Sequence, residues 1–198
     1  MRVDKLVLAT RNEGKIAEIR ALLDGFGIDL FTVGDFPNVP EIVEDGETFC
    51  ENVRKKAGVV AKCTGYPALA DDSGLEVDAL SGAPGVRSAR FAGERATHAE
   101  NNRKLRLLMK DVPPQKRTAR FRCTLALAFP DGTVQTVDGV CEGTIAEEPQ
   151  GENGFGYDPL FFVPELGKTF AQISRAEKGA LSHRGRALKQ LKQLLGAK

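Results

Sequence analysis

The sequence predicts an α/β fold on three observations. The chain opens β-α-β: an aliphatic run at residues 3–9, a polar turn followed by Ile16, Ile19 and Leu23 at helical spacing, and a second strand-like run at residues 28–33. Two capping boxes, Thr48-Phe49-Cys50-Glu51 and Thr97-His98-Ala99-Glu100, open further helices, because a hydroxyl and a carboxylate three residues apart satisfy each other's backbone N–H groups at a helix start. Finally, Ala119, Phe121, Cys123, Leu125, Leu127 and Phe129 alternate with mostly polar or small neighbours, the period-two pattern of a strand with one buried face.

The elements follow in order. The turn Thr10-Arg11-Asn12-Glu13-Gly14-Lys15 ends the first strand and starts the first helix. Residues 41–45 turn acidic before the helix that Thr48 opens, which runs to about Lys62. Residues 69–77 read as a strand broken by Asp71-Asp72-Ser73-Gly74, and a glycine-rich loop over residues 82–93 precedes the helix from Thr97 through Met109. Pro130-Asp131-Gly132 turns the alternating strand back onto residues 133–145, where Gly139 and Gly143 suggest a bulge. A second glycine-rich loop, residues 151–159, leads into a short strand over residues 160–163, and the last helix carries Ala187, Leu191, Leu194 and Leu195 on one stripe.

At 198 residues the chain is sized for one domain or two packed lobes, and it contains no repeat or linker. Hydrophobic residues at 41% and charged ones at 28% exclude a disordered or collagen-like chain. Lys and Arg total 28 against 27 Asp and Glu, so the net charge of +1 lacks the basic excess of a backbone-reading nucleic-acid binder. No apolar run reaches the roughly 18 residues of a membrane-spanning helix, and the start resembles no signal peptide, so the expectation is a soluble cytoplasmic protein with neither nucleic acid nor membrane as partner. Cys50, Cys63, Cys123 and Cys141 show neither C-x-x-C nor zinc-ligand spacing and are expected to be reduced apolar fillers.

Several clusters could carry chemistry. Thr10, Asn12 and Lys15 set a hydroxyl, an amide and a cation at a helix start, a corner that suits a phosphate; an ordinary Asn12 cap beside a solvated lysine is the plainer reading. It is no P-loop, because Ala9 and Ile16 replace the required glycine and Ser/Thr. Lys56 shares an inward helical stripe with Phe49, Val53 and Val60, so it either snorkels to water or meets an anion. Asp71 and Asp72 project in different directions, and with Glu44 they could hold magnesium, which takes one or two carboxylates, waters and phosphate oxygens; an Asx-turn is the alternative. Phe155 and Tyr157, beside Gly154 and Gly156, could stack on a base or plug a core, and the basic residues near Lys178, His183 and Arg184 could simply be a solvated helix face.

These stretches together resemble the inosine triphosphate pyrophosphatase family, the XTP/dITP or noncanonical purine nucleoside triphosphate pyrophosphatases. The resemblance spans nearly the whole chain through Ala9-Thr10-x-Asn12-x-x-Lys15, Thr48-Phe49-x-Glu51-Asn52, Ala70-Asp71-Asp72-Ser73-Gly74-Leu75, Gly82-Ala83-Pro84-Gly85-Val86, Gly154-Phe155-Gly156-Tyr157-Asp158-Pro159 and Ser182-His183-Arg184-Gly185. It implies residues 1–198 as one domain: an elongated α/β fold with a long central mixed sheet, helices and two lobes flanking an active-site cleft, usually as a homodimer. It implies hydrolysis of ITP, dITP and XTP to monophosphate and pyrophosphate with Mg2+ as cofactor. Carried over by position, Thr10, Arg11, Asn12, Glu13, Gly14, Lys15 and Lys56 hold the triphosphate, and Glu44 and Asp72 hold magnesium. Asp72 accepts the proton of the attacking water with Asp71 in support, and Ser73 contacts substrate. Phe155, Gly156, Tyr157, Asp158, Lys178, His183 and Arg184 clasp the base. Arg11 stands where some relatives have glycine.

Overall fold

The computed structural model describes residues 3–194, the side chain of Leu194 excepted. Its strands are β1 (Lys5–Leu8), β2 (Asp29–Thr32), β3 (Ala68–Val77), β4 (Thr118–Ala128), β5 (Val134–Ile145), β6 (Phe161–Val163) and β7 (Lys168–Thr169), with helices α1 (Glu13–Leu23), α2 (Phe49–Thr64), α3 (His98–Met109), α4 (Arg175–Leu181) and α5 (His183–Leu194). The strands form one open mixed sheet in the order β2-β1-β3-β4-β5-β6-β7. β1 pairs in parallel with β2 and β3, whereas β5–β6 and β6–β7 are antiparallel.

The chain divides into two compact units: one takes the chain up to Asp72, Cys123–Gly139 and the chain from Arg184 on, the other Ser73–Arg122 and Val140–His183. In the first unit the sheet is covered on both faces. Leu6, Leu8, Leu69, Cys123, Leu125 and Leu127 pack with Ile16, Ile19 and Leu23 of α1 and Ala187, Leu188 and Leu191 of α5. The opposite face, with Val7, Ala9, Ala68, Ala70, Ala126 and Ala128, packs against Val53, Ala57, Val60 and Ala61 of α2, and the run of alanines lets that helix lie close. In the second unit Leu75, Val77, Phe121, Cys141, Ile145, Leu160 and Phe161 pack around Leu105 and Met109 of α3.

The capping boxes form as expected: the Thr48 and Thr97 hydroxyls accept from the N–H groups of Glu51 and Glu100. Another, Ser174 with Glu177, starts α4, an element the apolar spacing did not suggest because Lys178 is its only buried residue. Three expectations need correction. β3 runs unbroken through Asp71-Asp72-Ser73-Gly74, because both carboxylates find partners inside and the pleat need not open to water. β4 has one buried face only at its start; beyond Thr124 helices cover both sides. Cys123 and Cys141 are buried, but Cys50 and Cys63 are exposed on α2, off the inward stripe.

Gly143 reflects close approach: a Cβ there would lie 2.6 Å from both the Phe161 ring and the Phe162 carbonyl oxygen. In the expected stripe of α5, Ala187 and Leu191 are buried, whereas the Leu194 side chain and Leu195 lie outside the described residues.

Candidate active site

Strand pleating sets the polar centre of the first unit. Leu69 faces α1 and α5, so Asp71, two residues on, faces them too; Ala68 and Ala70 face α2, so Asp72 does as well. Adjacent carboxylates thus serve opposite faces of one sheet.

Asp71 is fully buried and saturated by cations. The Lys15 ammonium approaches its Oδ1 at 2.6 Å, and the Arg184 Nε donates to its Oδ2 at 2.7 Å. The Cys123 thiol donates to the same Oδ2 at 3.3 Å, while the Arg184 Nη1 donates to Glu18 of α1. Burial alone pushes the Asp71 carboxyl up, but the charges of Arg184 and Lys15 outweigh it and hold the group well below the usual carboxylate range. Burial likewise pulls Lys15 down, and the Asp71 charge more than restores it, so its value is raised. Asp71 is therefore a fixed anion that orders Lys15 and Arg184.

Asp72 differs. Its Oδ2 accepts from the Asn52 amide of α2 at 3.0 Å, and the Asn52 Oδ1 accepts the Gly46 N–H at 2.8 Å, which fixes the amide's orientation. Burial pushes the Asp72 carboxyl up; Lys15 and Lys56 pull it back and the Glu44 charge adds to the rise, leaving it above the ordinary value. Two neighbouring carboxylates are driven apart, one held as an anion and the other poised to take a proton.

Lys56, 6% exposed, donates to the Asp71 carbonyl oxygen at 2.8 Å and to Glu44 Oε1 at 3.0 Å. The inward stripe of α2 carries it there, so of the two readings open to it in the sequence it meets an anion, Glu44. At the start of α1 the Thr10 hydroxyl accepts the Asn12 N–H at 3.2 Å and the Asn12 Oδ1 accepts the Lys15 N–H at 3.1 Å, with Glu13 in the first turn. Thr10, Arg11, Glu44 and Lys56 line one pocket. Gly14 is half-buried behind this corner, and Ser73 is half-buried in β3.

The second unit holds the aromatic loop. The Phe155 N–H donates to Asp158 Oδ2 at 2.8 Å, and the Lys178 ammonium bonds the same oxygen and sits 4.8 Å from the Phe155 ring centre. Gly154 adopts φ +75°, and a Cβ there would lie 2.0 Å from Asp158 Oδ2, so only glycine closes this turn. The Tyr157 hydroxyl donates to the Ser88 carbonyl oxygen at 2.8 Å, and burial pushes its ionisation up. Tyr157 thus anchors the loop, while Phe155 stays partly exposed. The His183 imidazole stacks on Phe121, ring centres 4.7 Å apart. Gly156 bonds α3 on both sides through His98 and Asn102.

The structure brings Thr10, Arg11, Glu44 and Lys56 together, and links Lys15 and Arg184 through Asp71. It gathers Phe155, Asp158 and Lys178 at one point. His183 and Arg184, neighbours in sequence, part: one stacks in the second unit, the other is bound in the first. Sequence reasoning missed Glu18, Asn52, His98 and Asn102 as site-supporting residues. Glu18 carries a signal in its i+3 spacing from Lys15, and Asn52 lies in the quoted Thr48 motif; His98 and Asn102 carry none, because their partner Gly156 is 54 positions or more away.

The model of the Ham1 family matches residues 6–194. A dITP/XTP pyrophosphatase of Desulforamulus reducens is 54% identical over 96% of this chain and 95% of its own. One of Geobacter sulfurreducens is 56% identical over 97% and 96%. Among solved structures, a HAM1 protein from Coxiella burnetii superposes with TM-score 0.89 at 45% identity over the full length of both chains. A nucleoside-triphosphatase, dITP/XTP pyrophosphatase, from Mycobacterium abscessus gives 0.76 at 42%, covering 94% of this chain and 98% of its own.

Proposed function

The chain belongs to the Ham1 family, and from that premise we infer that the protein is a nucleoside triphosphate pyrophosphatase. It hydrolyses noncanonical purine nucleoside triphosphates, ITP, dITP and XTP, to the monophosphate and pyrophosphate. The observation that carries the reading is the divergence of two adjacent carboxylates, Asp71 bound by cations and Asp72 raised beside Lys15, Lys56 and Glu44.

The residues fit a hard divalent cation of the magnesium type. Glu44 and Asp72 lie close enough for the Glu44 charge to raise Asp72, a mutual repulsion that a dication relieves. Among the described residues no group of three or more His, Cys, Asp or Glu side chains forms a closed cage. Magnesium would take these one or two carboxylates and complete its shell with waters and phosphate oxygens. When bound, Mg2+ neutralises triphosphate charge and lowers the pKa of bound water.

The protein's own groups do the rest. The α1 start, with Thr10, Arg11, Asn12, Glu13, Gly14 and Lys15, receives phosphate oxygens through free N–H groups and side chains, and Lys56 adds a second cation. Asp72 takes one proton from water as its oxygen bonds to the α-phosphorus; the bond from that phosphorus to the α–β bridging oxygen breaks, and pyrophosphate leaves with the electron pair. Asn52 orients the Asp72 carboxylate, and Asp71 keeps Lys15 in place. Ser73 touches substrate. Phe155 stacks on the base, and Gly156, Tyr157, Asp158, Lys178 and His183 complete its surroundings, while Arg184 acts through its hold on Asp71. Donors facing the 6-oxo group reject adenine, whose 6-amino group would leave them unpaired.

We place the enzyme in the cytoplasm, where nucleotide pools lie, as a homodimer; no described helix is long and apolar enough to cross a membrane. Incubation with ITP and magnesium should yield IMP and pyrophosphate. IDP with single phosphate would mean a different bond is cut, and no turnover of ITP or XTP would overturn the reading.

A further inference from the structure

We propose that His98 and Asn102 of α3 are positioning residues that set this enzyme's base preference by gripping the two peptide groups that flank the Gly156 Cα. The inference rests on the reading that the loop over residues 155–158 clasps the base. The two side chains stand four residues apart on α3 and therefore share one face. The Gly156 N–H donates to His98 Nδ1 at 3.3 Å, and Asn102 Nδ2 donates to the Gly156 carbonyl oxygen at 2.9 Å. One glycine is thus held on both of its backbone polar groups.

Three facts make the grip meaningful. First, Gly156 adopts φ +63°, and a Cβ built there would meet nothing within 4 Å, so packing does not hold this residue. Second, its neighbours are tied within the loop: Phe155 N–H to Asp158 Oδ2, Asp158 N–H to the Phe155 carbonyl oxygen at 3.3 Å, and the Tyr157 carbonyl oxygen to the Leu160 N–H at 2.9 Å. Gly156 is tied by α3 rather than within the loop. Third, Asn102 keeps its Oδ1 buried without a hydrogen-bond partner among the described residues. A leucine would avoid that cost, so the amide serves its donor side, and only the Nδ2 can face a carbonyl oxygen.

A peptide group next to a glycine that is free to flip exchanges an N–H for a C=O toward its surroundings. In a base-clasping loop that exchange inverts polarity, and polarity separates a 6-oxo from a 6-amino purine. Holding Gly156 therefore widens discrimination without either α3 residue touching the base.

Steady-state kinetics on ITP, XTP and ATP test this in Asn102→Leu, His98→Ala and His98→Asn, the last placing an acceptor Oδ1 where Nδ1 stood. We expect kcat/KM for ITP to fall by about tenfold in Asn102→Leu and by less in His98→Ala, mainly through KM, which is the scale of one lost hydrogen bond. ATP turnover stays level or rises, so the ITP:ATP ratio narrows, and His98→Asn recovers most of it. Should Asn102→Leu not fold, exposed His98 carries the test. An equal loss on all three nucleotides, or an unchanged ratio, overturns the inference and leaves the pyrophosphatase reading standing. No ITP turnover by the unaltered protein overturns that reading and this inference with it.

Discussion

At the residue scale, Asp71 and Asp72 show that chemical identity does not decide role. Asp71 lies among Lys15, Arg184 and the Cys123 thiol; Asp72 has an amide and a more distant pair of lysines. Asp71→Asn should cost about 3–5 kcal/mol in urea unfolding, because it leaves buried Arg184 and half-buried Lys15 short of a counter-charge. Asp72→Asn has the opposite sign for stability. An acid whose folded pKa is raised is penalised once it ionises, so its neutral isostere should be neutral or stabilising at pH 7. Its cost falls on catalysis, with kcat down about 10²–10⁴-fold and nucleotide affinity largely kept. Finding turnover intact in Asp72→Asn would remove it as proton acceptor. The pair's opposite directions were half legible in the sequence: adjacency implied different orientations, but not which would meet the cations.

At the scale of elements, helix starts explain much of the site. α1 starts where Asn12 caps it and aims free N–H groups at the phosphate corner; α2 and α3 begin with capping boxes that place Asn52 on one and His98 on the other. The Glu100 carboxyl is held below its ordinary value by hydrogen bonds from the Thr97 N–H and hydroxyl. A depressed acid contributes stability above its unfolded value of 4.5 and loses it as pH falls through the folded value. Glu100→Ala should therefore lower the melting temperature at pH 7 and make progressively less difference below about pH 4.5. A melting difference constant from pH 7 to pH 3 would show that the carboxylate's charge is not what caps α3. Helix boundaries were the most legible part of the fold, since capping residues lie within a turn of the end they cap. The continuity of strand β3 is not legible in the sequence, because Asp-Asp-Ser-Gly is a turn composition unless remote partners neutralise it.

At the scale of the molecule, a net charge of +1 conceals segregation: five acids and no base between Glu41 and Glu51, seven bases against Glu177 alone from Arg175 to the end. Of the latter, Lys178 and Arg184 are buried against carboxylates while Arg175, Arg186 and Lys189 are exposed; with a net charge of only +1, we propose that nucleic acid is no partner. Fluorescence anisotropy with a labelled single-stranded oligonucleotide should show no salt-sensitive binding near 0.15 M salt, whereas micromolar affinity falling steeply with salt would contradict this. The same segregation limits inference from sequence. By itself the sequence determined the α/β class, the helix starts, the inward placement of Lys56 and the ordered motifs that identify the family, because each depends on neighbours within a few residues. Only the tertiary structure decided that Arg184 bridges Asp71 and Glu18, that His183 and Arg184 part, and that α3 grips Gly156. Those facts join residues from 54 to 166 positions apart. They arise from which side chains are desolvated together, a condition set when the chain packs and written in no local pattern.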